Sequence, residues 1–137
     1  MAYVTRAEIE SKIPSQILTE ALDDDRDGLE DSGTFDQVVA VASQDADALV
    51  APIYTVPFTD PAPAPIRAAA FAFTCEAIYR RRGVDDDINP WKKQADFWRD
   101  RLGRVGAGEI TLETSTAQSS GAQTGGPARI PGRVSMD

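Results

Sequence analysis

The stretch APIRAAAFAFTCEAIYRRRG, Ala64 to Gly83, limits the fold more than any other part of the chain. From Ile66 to Ile78 only Arg67, Thr74 and Glu76 are clearly polar. A helix that is apolar nearly all round has to be covered by neighbours on every side. Three arginines then a glycine, Arg80 to Gly83, place cations at the negative end of the helix dipole and a stop after it. The spacing predicts a central helix from about Ala64 to Arg82, and the rest of the chain must supply its cover.

Four further segments read as helices. Thr5-Arg6-Ala7-Glu8 has the form of a capping box, so a short helix is expected from about Arg6 to Lys12. Pro14 interrupts it and suits the first turn of a second helix, with Ile17, Leu18, Ala21 and Leu22 on its apolar face. A longer helix is predicted from Phe35 to Tyr54, capped by Ser32 or Thr34. There Val38, Val41, Ala42, Ala46, Leu49 and Ile53 recur at helical spacing, and Pro52 should bend or fray the last turn. The proline-punctuated TVPFTDPAPAPI reads as a stiff, extended connection. Asn89-Pro90 is expected to cap and start the last helix. Trp91, Ala95, Trp98 and Leu102 form its stripe, and Gly103, Gly106 and Gly108 end it. EITLETST alternates and reads as a short strand or extended arm. Residues 117–137 are rich in Gly, Ser and Pro and are expected to be disordered in isolation. The fold class expected is mainly α: a compact bundle of four to five helices over 1–112, with an extended, flexible arm over 113–137.

Charge and composition exclude several functions. The chain has 137 residues, room for one domain, and a net charge of −8. That balance opposes a grip on nucleic acid, which needs a basic stripe. It does not exclude a surface that DNA passes without sticking. With no histidine, the commonest general base and metal ligand are missing. The single cysteine, Cys75, allows no internal disulfide, and its place on the most apolar helix makes it core packing. The start, MAYVTRAEIE, is not a secretory signal, and the most apolar run, Ala68 to Cys75, is too short to span a bilayer. No pair of residues has the arrangement of a catalytic dyad, and the carboxylates fall in solvated loops. The chain is therefore expected not to be an enzyme.

The conspicuous motif is LDDDRDGLEDSG, Leu22 to Gly33. Asp23, Asp25 and Asp27 alternate before Gly28, as the first half of a calcium loop requires. Position twelve, which should be a bidentate Glu, is Thr34, and position eight, usually apolar, is Glu30. Two readings stand: a weak Ca²⁺ site on Asp23, Asp25 and Asp27, or a solvated turn in which the Asp side chains cap local N–H groups. No other cofactor is expected. RLGRVGAGE follows a helix, so its glycines read as a stop and not as a phosphate loop. Arg80 to Arg82 read as a solvated helix end with acids nearby. Trp91 and Trp98 read as core or subunit interface.

The order of motifs resembles the Mu-like phage head–tail connector proteins over about Ala2 to Leu112. The pieces are YVTRAEIESKIP, LTEALDDDRDG, VVAVASQDADALVAPIYTVPF with its Tyr-x-x-Pro close, PIRAAAFAFTCEAIYRRRG, and a glycine-rich GxGEITL. The turn Asp25–Gly28 matches an Asp-rich turn common in that family. The resemblance implies a compact helical subunit of a ring, most often of twelve copies, at the virion neck below the portal. Such a ring extends the DNA channel and meets the tail-completion or stopper proteins. The chain would be made in the host cytoplasm, with no membrane step. It also implies that an extended terminal segment docks on the portal or a neighbour, here through Arg129, Ile130, Pro131 and Arg133. Pro52 and the long DPAPAP connection depart from the family pattern. The rival reading is a small acidic interaction protein, either cation-binding or mimicking nucleic acid.

Overall fold

The computed structural model describes residues 3–59 and 61–112. The described chain is mainly helical: α1 (Arg6–Glu10), α2 (Ser15–Ala21), α3 (Thr34–Val50), α4 (Ala64–Arg81), a 3₁₀ turn (Asp86–Ile88) and α5 (Lys92–Gly106). The predicted arm, with Arg129, Ile130, Pro131 and Arg133, lies outside the described residues.

Helix α4 is the centre, as its composition demands. It packs against α2, α3 and α5. Ile66, Ala69, Ala70, Ala72, Cys75 and Ile78 are wholly buried on it. Each large aliphatic so covered stabilises the fold by roughly 1.5–3 kcal/mol. Its buried hydroxyl is satisfied locally, Thr74 Oγ1 donating to the Ala70 carbonyl at 2.7 Å. Gly83, at φ 92, ends the helix. The Gly83 N–H donates to the Arg80 carbonyl at 2.9 Å and that of Val84 to Tyr79 at 3.1 Å, so two end carbonyls are satisfied.

The C-terminal ends of α3 and α5 meet. An added Cβ on Gly106 would fall 2.0 Å from the Leu49 carbonyl oxygen, so the two backbones touch there. Just beyond, the Leu112 N–H donates to the Tyr54 hydroxyl at 3.1 Å.

The chain start is strapped across this bundle. The Tyr3 N–H donates to Ser43 Oγ, and its hydroxyl donates to Asp47 Oδ1 at 2.8 Å while accepting the Phe58 N–H at 2.9 Å. Burial pushes the Tyr3 phenol up to about 12, so it stays a donor at all ordinary pH. Substituting Tyr3→Phe orphans the Phe58 N–H and the part-buried Asp47 carboxylate. An expected loss of about 1–3 kcal/mol follows, readable as a lower urea midpoint.

Several sequence-based expectations about helix ends need correction. The capping box at Thr5 forms, but α1 stops at Glu10. Neither Ser32 nor Thr34 caps α3: Gly33 holds the cap at φ 82 and Thr34 is already helical. The helix ends at Val50 and not at Tyr54, because Pro52 lacks the N–H that would extend the ladder. The N–H groups of Ile53 and Tyr54 both fold back onto the Val50 carbonyl. Helix α5 begins two residues after Pro90, and Asn89 Oδ1 accepts the Trp91 N–H at 3.0 Å. Of the three glycines expected to end α5, only Gly108, at φ 83, does so; Gly103 lies within the helix and Gly106 is its last residue. The segment Glu109 to Leu112 forms no strand.

Candidate functional site

The loop between α2 and α3 carries the densest group of chemically active side chains. Carboxylate oxygens of Asp23, Asp25, Asp27 and Asp31 all lie within 4.8 Å of one another. The loop holds them together by bonding to itself. Asp23 accepts from the Asp27 N–H at 3.1 Å and the Gly28 N–H at 2.8 Å. Asp27 accepts from Leu29 N–H at 2.9 Å, and Asp31 Oδ2 from Asp24 N–H at 2.9 Å. The Asp31 N–H donates to the Leu22 carbonyl at 2.8 Å, which closes the loop at its base. Arg26 takes the left-handed φ of 62 to make the turn.

Both sequence readings of this loop find physical content. Asp side chains do cap local N–H groups, as the solvated turn requires. The three aspartates of the calcium reading are also brought together, with a fourth that the sequence reasoning missed. Asp31 is position nine counted from Asp23, a position that calcium loops fill directly or through water. That ninth position was the signal that could have found it. Glu30, out of place at position eight of a calcium loop, serves elsewhere. It takes a two-pronged ion pair from Arg6 and ties the loop to α1. Thr34 starts α3 and offers no bidentate carboxylate.

Crowding of like charges separates the titration of two of these groups. Asp25 is raised above the usual carboxylate range, chiefly by the hydrogen-bonded carboxyl of Asp23. Desolvation pulls Asp23 the same way, but the Gly28 N–H, the Asp25 carboxyl and two further N–H groups outweigh it and hold it low.

The arginines at the end of α4 are held by acids, as expected. Arg81 Nε donates to the Ala21 carbonyl at 2.9 Å, and Arg81 pairs with Asp24 at 2.6 Å. Arg82 pairs with Glu20 at 2.6 Å, and Arg80 reaches Asp86 at 3.3 Å. The acidic loop and the 3₁₀ turn are thus both pinned to one end of the bundle. That end gathers Asp23, Asp24, Asp25, Asp27 and Asp31 with Asp85 to Asp87.

Sequence reasoning marked Glu76 as polar but gave it no partner and no burial. Glu76 is 1% exposed. Arg99 of α5 embraces its carboxylate with both terminal nitrogens while lying 5.1 Å over the Phe73 ring. Arg80 adds a third contact at 3.3 Å, and Asn89 Nδ2 donates to the Glu76 carbonyl at 3.1 Å. Glu76 was legible only as a polar break on an apolar helix, because its partner stands twenty-three residues on. Cys75 is fully buried, and desolvation pushes its thiol up to about 12, so it is chemically quiet. Trp91 and Trp98 are half-buried against the core. Trp91 packs edge-on with Phe71 at 5.5 Å, and Trp98 with the exposed Phe97 at 5.1 Å. No helix among the described residues is long and apolar enough to cross a membrane.

No curated protein matches the chain. The model for the family described as bacteriophage Mu, Gp36 matches residues 3–129. That span takes in every element described above, and the chain belongs to this family of bacteriophage proteins.

Proposed function

We propose that this phage protein is a head–tail connector: a subunit of a ring, twelve copies in the expected form, seated below the portal at the virion neck. The family match over nearly the whole chain carries the reading. Its action is assembly. Copies pack through helix faces, the portal sits on one side, and tail-completion proteins sit on the other. The acidic end of the bundle supports a channel-facing or tail-facing role, since like charge keeps a DNA backbone from sticking while it slides. The segment 113–137, with Arg129, Ile130, Pro131 and Arg133, is proposed to reach the portal or a neighbouring copy. Electron microscopy of the chain mixed with its portal tests this. A ring added to the portal is the expected image; a chain that stays monomeric and never joins the portal overturns the reading.

The convergence of four carboxylates favours a second reading of the loop itself, as a weak Ca²⁺ site that stiffens it for assembly. Calorimetry is expected to show binding at millimolar Ca²⁺, lost in Asp25→Ala. Protons compete for the same oxygens, so binding weakens as pH falls through the raised Asp25 range. Absence of heat at pH 7 reduces the loop to a charge-setting turn.

A further inference from the structure

Helix α5 carries a basic face with an aromatic centre, left open among the described residues. Phe97 is 52% exposed at its middle. Trp98 packs edge-on against that ring, and Arg101 lies 5.8 Å over it. Lys93, Phe97, Arg101 and Arg104 follow one another at steps of four, four and three residues, so they share one face of the helix. Arg104 pairs with Asp100 at 3.3 Å, but Lys93 and Arg101 form no ion pair with any described residue. On a chain of net charge −8, uncompensated cations around an exposed ring call for an acidic partner with an apolar tip.

The loop between α2 and α3 has that chemistry. Leu29 is 68% exposed, with Asp27 and Asp31 on either side of it in the chain. Asp23, Asp25, Asp27 and Asp31 lie together and form no ion pair with any described residue. The loop is also fixed in shape: Arg6 holds Glu30, Arg81 holds Asp24, and the Asp31 N–H closes its base. A segment held in this way loses little freedom when it binds. The 3₁₀ turn also sets an exposed apolar residue, Ile88, beside acids, but its Asp86 is taken by Arg80 and it packs against α5 of its own chain. Each of the two matched patches repels its own kind, since two loops oppose carboxylates and two α5 faces oppose cations. Loop against α5 face is the combination that brings unlike charges and the two apolar side chains together.

We propose that the α5 face of one copy receives the α2–α3 loop of the next, with Leu29 against Phe97 and the loop aspartates facing Lys93 and Arg101. The proposal rests on the ring reading above and names the two surfaces that join neighbours. A contact of this kind is heterologous: each copy gives a loop and takes one, and rotation closes the set. Asp85 to Asp87 are left for the channel or tail side.

Charge exchange tests it on the full chain assembled with the portal, with rings counted by electron microscopy. One variant carries Asp25→Lys and Asp27→Lys, the other Lys93→Glu and Arg101→Glu. Each alone is expected to cut ring yield by about tenfold or more, because loop and face then carry the same sign. Mixed in equal amounts, the two are expected to form rings again with copies alternating. The basic loop of the first variant then meets the acidic face of the second, and the unaltered loop of the second meets the unaltered face of the first. Rings from the parent but none from the mixture, with both variants keeping the parent's urea midpoint, overturn this contact and leave the ring standing. A parental yield from either variant alone does the same. No ring from the parent overturns both readings. Where a reversal shifts the midpoint, Leu29→Asp at its exposed position decides: a loss of about tenfold or more supports the contact, and a parental yield overturns it.

Discussion

Replacing Gly106 with alanine is expected to destabilise the protein by about 1–3 kcal/mol, although alanine is the better helix former. Two effects oppose each other. Gly→Ala within a helix ordinarily gains about 0.5–1 kcal/mol from chain entropy. Here the new methyl would stand 2.0 Å from the Leu49 carbonyl oxygen, a distance no real Cβ contact permits. The obstacle is backbone, so α3 and α5 must separate, and overpacking of this kind costs about 1–3 kcal/mol and sometimes more. Gly103 supplies the control. It lies three residues earlier on the same helix, and an added Cβ there meets nothing within 4 Å. Gly103→Ala should therefore gain about 0.5–1 kcal/mol. Urea midpoints of the two variants should move in opposite directions. A Gly106→Ala protein as stable as its parent would show that α3 and α5 do not touch here.

The second large effect is expected at Glu76. Substituting Arg99→Met leaves a carboxylate that is 1% exposed with only the more distant Arg80 guanidinium. Removing one partner of a buried ion pair costs about 3–5 kcal/mol. The remaining Arg80 contact should hold the loss to the lower end of that range. Replacing both partners, Glu76→Met with Arg99→Met, removes the uncompensated charge as well. The double variant should recover to within about 1 kcal/mol of the parent. A double-mutant cycle by chemical denaturation measures this. Equal losses in the single and double variants would mean that packing of the Arg99 stem on Phe73, and not the charge pair, is what matters. The pair crosses between α4 and α5, so the expected companion of a recovered stability is a looser register between those helices, visible as faster amide exchange in α5.

Much of the fold was legible because it depends on short-range patterns. Composition alone made α4 central, since no arrangement leaves thirteen mostly apolar residues, Ile66 to Ile78, facing water. Thr5 and Glu8 announced their capping box, and Pro52 announced the end of α3, though four residues too late. Gly33 was missed as a cap because serine and threonine compete for that role, and only the left-handed turn out of the acidic loop decides for glycine. The acidic loop was legible in three of its four carboxylates. Asp31 was missed because it stands beyond the alternating run before Gly28, although its place at position nine of a calcium loop marked it in the sequence; the fold of the loop from Leu22 back to Asp31 brings it beside the other three.

The sequence by itself determined which segments are helical, which of them is buried, where Cys75 sits, and that the surface is acidic. Those properties follow from periodicity, propensity and charge, which act over a few residues. Only the tertiary structure decided that Glu76 belongs to Arg99, that Glu30 belongs to Arg6, and that Gly106 lies against Leu49. Such pairings join residues 23 to 57 positions apart, and local preference carries no information about which distant partner will arrive.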